Sequence, residues 1–247
     1  TIGDLGMNIQ RIWSDNLPSS TVKDYFGIMK KINLFVLMLL SASVFSDTLL
    51  HVGNLIDVES GELSKAITIT VSSNEIKSIT KGYARAAKND TVIDLKNSFV
   101  LPGFMDMHVH LAQEYVPKAE RPAKSEPEYR ALFAANAATK TLMAGFTSVR
   151  NLGDGGMETI ALREAISQGL IVGPRIFTSG KTIATTGGHG DPSNGKSKAD
   201  YSPPTPEDGV IDSPEEAIKA VRQRYKDGTD GIKITATGGV LSVAKSG

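Results

Sequence analysis

With 247 residues, 40% hydrophobic and 22% charged, the chain has an ordinary globular balance and room for one large domain or two small ones. Lysine plus arginine and aspartate plus glutamate both number 27, and the pI is near 6.9, so no charge footprint points to nucleic acid or an anionic membrane. Cysteine is absent, which excludes disulfides and thiolate ligands; a metal site must draw on carboxylates, on something less usual, or on His51, His108, His110 and His189.

Residues 1–28 show no clear period. At Met29 the character changes. Met29-Lys30-Lys31 precedes an apolar run, Ile32 to Leu40, and then Ser41-Ala42-Ser43-Val44-Phe45-Ser46. A basic start, a short apolar core and a small-residue exit make a secretory signal peptide over 29–46, and the run is short for a bilayer span. The expectation is that translation starts at Met29, that 1–28 is a non-native upstream extension, and that cleavage falls near Ser46. That predicts a periplasmic or secreted protein. Without cysteine at the cleavage site, no stable membrane anchor remains.

From 47 to 99 the pattern is short strands: 48–52, 55–58, 66–71, 75–79 and 91–95. Gly53-Asn54, Gly61, Ser73-Asn74 and Lys88-Asn89-Asp90 punctuate them as turns. His51 sits here and reads as structural. A buried strand follows, Val100-Leu101-Pro102-Gly103-Phe104-Met105-Asp106-Met107-His108-Val109-His110-Leu111. Strand alternation puts Phe104, Asp106, His108 and His110 on one face. Met105, Met107, Val109 and Leu111 then share the other, which is apolar enough to pack under helices. Two imidazoles on one wall can bind one metal ion together, and zinc accepts such ligands readily.

Beyond a Pro-, Glu- and Lys-rich loop, Ser125-Glu126-Pro127-Glu128 has capping-box spacing and opens a helix. Its core face is Leu132, Ala135, Thr139, Leu142 and Met143, and Gly145 stops it. A strand at 146–152, a helix at 157–168 and a strand at 175–180 follow. A long irregular stretch, 184–212, contains Gly187-Gly188-His189-Gly190-Asp191; loops of this length are usually functional or disordered. Ser213-Pro214-Glu215-Glu216 opens a further helix with Ala217, Val221 and Tyr225 on one face, and Gly228 ends it. The strand Gly231-Ile232-Lys233-Ile234-Thr235-Ala236-Thr237 closes the series. This β-α-β-α-β-α-β order predicts parallel strands covered by helices. Lys233 is central in an apolar strand and needs a partner, a lowered pKa or a chemical role.

The Leu101–Leu111 stretch, with its Pro-Gly start and His-x-His end, resembles the first barrel strand of the amidohydrolase superfamily. The resemblance runs from about Leu49 to the last residue, Gly247. It is nearest to the imidazolonepropionase-like branch, with its Xaa-Pro dipeptidases and its carboxypeptidases acting on dipeptides ending in Lys or Arg. It implies an α/β fold: a (β/α)8 TIM barrel of the metal-dependent hydrolase type over 100–247, first four βα units only. The segment 47–99 is then part of a small flanking β-sandwich. It implies His108 and His110 as metal ligands, and Lys233 as an N6-carboxylated lysine bridging two divalent ions, zinc first among them. CO₂ would supply the carboxylate: a neutral amine in an enclosed site becomes a carbamate with two ligand oxygens. His189 and Asp191 match a Gly-Gly-His-x-Asp segment of the branch and are expected at the substrate or behind the metal ligands.

The resemblance also implies the reaction. Two ions about 3.5–4 Å apart share a hydroxide that attacks an amide carbon, and the developing oxyanion is stabilised electrostatically. The function expected is hydrolysis of C–N bonds in small peptides, by a dipeptidase or carboxypeptidase. Hydrolysis of a cyclic amide, a lactone or a phosphoester on the same scaffold, or a metal-free homologue without catalysis, are the alternatives. The superfamily's acid–base aspartate ends its eighth strand, and further histidine ligands lie on strands five and six. About 135 residues carry the chain from first to fourth strand, so eight need about twice as many. The acid–base aspartate is therefore expected beyond Gly247, with no catalytic acid–base residue within these 247 residues, and the chain alone is expected to be an inactive fragment. No nucleic-acid partner is expected, and homo-oligomerisation is compatible with the family.

Overall fold

A computed structural model describes residues 46–113, 126–197, 199 and 201–238. The upstream segment, the signal segment up to residue 45, most of the loop after the His-x-His strand, Ser125, and the final residues from Gly239 to Gly247 lie outside the described residues. Among those described, no helix is long and apolar enough to cross a membrane. The chain divides into two compact units between Leu101 and Pro102.

The first unit carries one four-stranded sheet in the order β3-β2-β1-β4, from β1 (Thr48–Ile56), β2 (Leu63–Ser72), β3 (Glu75–Lys81) and β4 (Thr91–Val100). β1 and β2, and β2 and β3, pair antiparallel, whereas β1 and β4 pair parallel. Ser73 and Asn74 both take positive φ, 50° and 65°, which suits the tight hairpin between β2 and β3. Val52, Ile67 and Ile69 form the buried centre. Two expected strands, 48–52 and 55–58, merge into β1, and the expected turn at Gly53-Asn54 is a bulge within it. A Cβ on Gly53 would lie 1.9 Å from the Lys96 carbonyl oxygen, so the backbones approach too closely there for any other residue. His51 is structural: its Nε2 lies 3.0 Å from the Ala84 carbonyl oxygen, and its ring packs against Tyr83.

The second unit alternates strand and helix: β5 (Phe104–Val109), α1 (Pro127–Met143), β6 (Phe146–Asn151), α2 (Glu158–Ser167), β7 (Arg175–Thr178) and α3 (Pro214–Asp227). The three strands are parallel in the order β5-β6-β7. Leu111, Val149, Leu162 and Ile176 pack with Ala134 and Ala138 to form the core. The expected fourth strand does not extend. Residues 231–237 make one parallel bridge, Ile183 to Ile234, flanked by Ile183 N–H to Lys233 O and Thr235 N–H to Ile183 O. Gly180, just past β7, takes φ +58°, and pairing resumes at Ile183 with a single bridge.

Three expected faces shift. β5 is at the edge of the sheet, and α1 and α2 pack on β6 and β7, so Met105 and Met107 are exposed and only Val109 and Leu111 reach the core; β5 also changes register against β6 between Asp106 and Val109. α1 starts after Glu126, with Pro127 at its first position and no side-chain cap. It buries Ala134 and Ala138, not Leu132 and Met143, because small residues let the helix sit close to the sheet. α3 begins as expected, with Ser213 Oγ accepting the Glu216 N–H at 3.2 Å, and ends at Gly228 in the left-handed region. Its buried residues are Ala220 and Arg224; Val221 and Tyr225 are exposed.

Candidate active site

Parallel strands direct all their C-terminal ends to one side, where barrel enzymes build their sites. Here the residues after β5, β6 and β7, together with the 231–237 segment, enclose a pocket of about 370 Å³. That lies within the range of small-molecule sites. His108 and His110 line it from β5, and Gly153 and Asp154 from the β6 end. Lys181 and Thr182 contribute from beyond β7, His189 and Asp191 from the long loop, and Lys233 and Thr235 from the last segment. The five residues singled out in the sequence thus share one pocket. Asp106, expected on the histidine face, does not line it; its carboxylate instead accepts the His108 backbone N–H at 3.0 Å. The acid–base aspartate expected beyond Gly247 falls outside the described residues, which end at Gly238.

The two imidazoles stand 5.3 Å apart, centre to centre, inclined by 58°. His110 Nδ1 lies 3.2 Å from the Gly153 carbonyl oxygen. A carbonyl can only accept, so Nδ1 carries a proton, and the neutral tautomer with this contact has its lone pair on Nε2. Partial burial pushes the His108 imidazole below its ordinary pKa, and the nearby charge of Lys233 adds to this, followed by His110 and Arg150. That favours the neutral ring, the form that binds a cation. Gly153 has φ +144°, and a Cβ there would stand 2.8 Å from Thr182 Oγ1 and 3.3 Å from the His110 ring, so the turn under that ring requires glycine.

Among the described residues, no three His, Asp or Glu side chains gather at metal-binding spacing. His108, His110 and Lys233 are the candidate donors for a metal here; His189, Asp154, Asp191 and Asp208 also line the pocket but complete no such cluster. As a carbamate, Lys233 would add the oxygen donors, and nitrogen plus oxygen donors suit a divalent ion such as zinc. Thr235 Oγ1, beside Lys233 on the pocket wall, is buried without a hydrogen-bond partner. The donor set fits the metal that the resemblance implies.

The loop side is held by its own carboxylates. Asp191 accepts the Gly187 N–H (2.7 Å), the Ser193 N–H (2.8 Å) and the Ser193 hydroxyl (2.6 Å). Burial would raise its pKa, but the bonds from Ser193 and Gly187 and the charge of Lys196 outweigh that and hold it below the usual carboxylate range. Lys181 Nζ pairs with Asp208 Oδ1 at 3.0 Å, while Asp208 Oδ2 accepts the Thr205 N–H and hydroxyl. Behind this wall, the buried Arg224 donates to the carbonyl oxygens of Lys181 (3.2 Å) and Glu207.

A buried polar cluster lies at the β6 end. Asn151 is fully buried; its Oδ1 accepts the Leu111 N–H at 2.8 Å, and its Nδ2 donates to Asp154 Oδ1 at 3.0 Å. Thr159 donates to the other Asp154 oxygen, and Thr178 approaches it at 3.4 Å. Burial is the main cause raising the Asp154 carboxyl to about 6; the hydrogen bonds oppose it, and Glu158 adds a small push upward. Sequence patterning does not single out Asn151-Leu152-Gly153-Asp154. The signal available is its place: polar residues directly after a barrel strand.

The Asp154 shift predicts a pH dependence of stability. The folded state holds the proton more tightly than the unfolded one, so the stabilisation is complete below the unfolded pKa of 3.8 and is lost as pH rises through about 6. The amplitude is about 3 kcal/mol. Urea unfolding between pH 4 and 7 should show Asp154→Asn gaining stability relative to the parent as pH rises. Parallel curves for the two proteins would contradict this.

The amidohydrolase family pattern matches residues 99–246. The chain belongs to the amidohydrolase family. A crystal structure of a Xaa-Pro dipeptidase with bound methionine in its active site is 55% identical, with a TM-score of 0.79, over 82% of this chain and 50% of that one. A prolidase complexed with N-methylphosphonate-L-proline is 32% identical, with a TM-score of 0.67, over 80% of this chain and 48% of that one. Ochratoxinase of Aspergillus niger is 30% identical over 178 residues, which is 66% of this chain and 35% of that protein. This amidohydrolase chain therefore spans about half the length of the solved structures it matches. These neighbours, covering about 80% of the chain, place its parallel strands and covering helices in a barrel of the TIM type.

Proposed function

We propose that the protein is a metal-dependent hydrolase of C–N bonds in small peptides, with Xaa-Pro or related dipeptides as its substrates. The observation that carries this reading is the convergence of His108, His110 and Lys233 on one pocket at the C-terminal strand ends. The likeness to Xaa-Pro dipeptidase and prolidase structures supports the substrate class.

His108 and His110 would hold the metal through ring nitrogens, and Lys233, as a carbamate formed with CO₂, would add oxygen donors. Bound there, divalent ions supply a water that loses its proton near neutral pH and a Lewis acid that polarises a carbonyl. The chain's own residues do the rest. The Gly153 carbonyl keeps His110 in one tautomer. Asp191 braces the loop that presents His189 to the pocket. Lys181 has three N–H donors, and Asp208 takes one, so the ammonium is oriented with capacity left for a peptide carboxylate. The volume of about 370 Å³ suits a dipeptide better than a folded chain. The basic, apolar and small-residue run of Met29–Ser46 supports export, where free peptides are available.

The test is a panel of Xaa-Pro and Xaa-Lys/Arg dipeptides, with a lactone and a phosphoester as controls, assayed on the full-length protein before and after chelation. Dipeptide turnover lost on chelation and restored by zinc is expected. Turnover that survives complete metal removal, or confined to the ester controls, would overturn the reading.

A further inference from the structure

The Asn151–Asp154 cluster borders the pocket, which Asp154 lines, and both Asp154 oxygens are taken up by Asn151, Thr159 and Thr178. Asn151 is on β6, yet it touches both sides of His110. Its Oδ1 accepts the N–H of Leu111, the residue following His110, at 2.8 Å. Its Nδ2 reaches the Gly153 carbonyl oxygen at 3.4 Å, the same oxygen that faces His110 Nδ1 at 3.2 Å. The backbone after the ring and the acceptor that selects its tautomer are thus tied to one amide.

That amide has a single workable orientation. The Leu111 backbone N–H can only donate, so the oxygen end of the amide faces it and the NH₂ end is left for Asp154 Oδ1, at 3.0 Å. Asp154 is fixed in turn. Its backbone N–H donates to the Gly180 carbonyl oxygen at 3.0 Å, and Thr159 and Thr178 hold its second oxygen. Burying a carboxyl and an amide in this way is costly unless every group is satisfied, and a plain strand end does not require it. Partners of this kind behind metal-binding histidines set ring orientation and ligand basicity.

We propose that Asn151 and Asp154 are positioning residues for the metal: they clamp the end of β5 and the Gly153 carbonyl so that His110 presents Nε2 to the pocket. This rests on the metal-site reading above.

The test uses the full-length protein and measures zinc affinity by competition with a chromogenic chelator, alongside Tm. Asn151→Ala is expected to fold and to bind zinc about 10–100-fold more weakly. Asp154→Asn is a milder variant with the same expected direction. Thr139→Val is the control: Thr139 bonds the Ala135 and Val172 carbonyl oxygens, away from the pocket, so its loss lowers Tm and leaves zinc affinity unchanged. Should Asn151→Ala fail to fold, Asp154→Asn is read by the same criterion. Folded variants that hold zinc like the parent, whatever their Tm, overturn the proposal alone. A parent protein that binds no zinc overturns the metal reading and the proposal together.

Discussion

Lys233→Ala is expected to empty the site of metal and to lower dipeptide hydrolysis by at least about 100-fold, beyond what outer partners of metal ligands usually cost. The reason is the donor inventory. Three histidines line the pocket, His108, His110 and His189, and among the described residues no carboxylate completes a metal-spaced cluster with them. Lys233 is half-buried on the pocket wall, and its charge acts on His108. A free ammonium there would repel a dication; a carbamate would bind one. Removing the side chain takes away the group on that wall that can supply oxygen donors after modification. His51→Ala is the matched control, since His51 bonds Ala84 within the first unit. Metal content by plasma mass spectrometry and turnover of a Xaa-Pro dipeptide are the two readouts. Lys233→Ala retaining both would show that the lysine is no ligand.

Arg224→Met carries the largest expected effect on stability, a loss of about 3 kcal/mol. The side chain is 1% exposed on α3 and donates to the carbonyl oxygens of Lys181 and Glu207. Asp227 lies 3.6 Å from its Nε. Methionine fills part of the volume but takes the donors from two part-buried carbonyls and leaves Asp227 without its cation. The two carbonyls adjoin the chain around Lys181 and Asp208, so the pocket wall should loosen as well. Arg224→Lys should recover little, because one ammonium cannot reproduce the fork that reaches both carbonyls. Urea unfolding of the variants measures this. A loss below about 1 kcal/mol, typical of a surface substitution, would contradict it.

Much of this pocket was legible in the sequence, because barrel geometry turns local motifs into a shared location. His-x-His at a strand end and a lysine in a later strand are local patterns, yet parallel strands bring both to one rim. The helix ends read well where side-chain chemistry decides them, as at Ser213 and Gly228. The faces read poorly. In α3 the apolar positions Val221 and Tyr225 implied a core contact, but the buried side is Ala220 and Arg224, set by what α3 packs on. In β5, an edge strand of this sheet, Met105 and Met107 are exposed because α1 and α2 pack on β6 and β7, and alternation in the sequence carries no mark of that. Gly53 reads equally as a turn or a bulge until the Lys96 carbonyl is seen against it. Asn151 and Asp154 belong to the same class. Their roles arise from contacts with Leu111, Thr159 and Thr178, which no local spacing announces.

The most direct measurement is the metal content of the purified full-length protein, compared with a His108→Asn, His110→Asn double variant. About two divalent ions per chain in the parent and none in the folded variant is the predicted result. A parent without stoichiometric metal, or a folded double variant that holds as much as the parent, would contradict the assignment of this pocket as a metallohydrolase site.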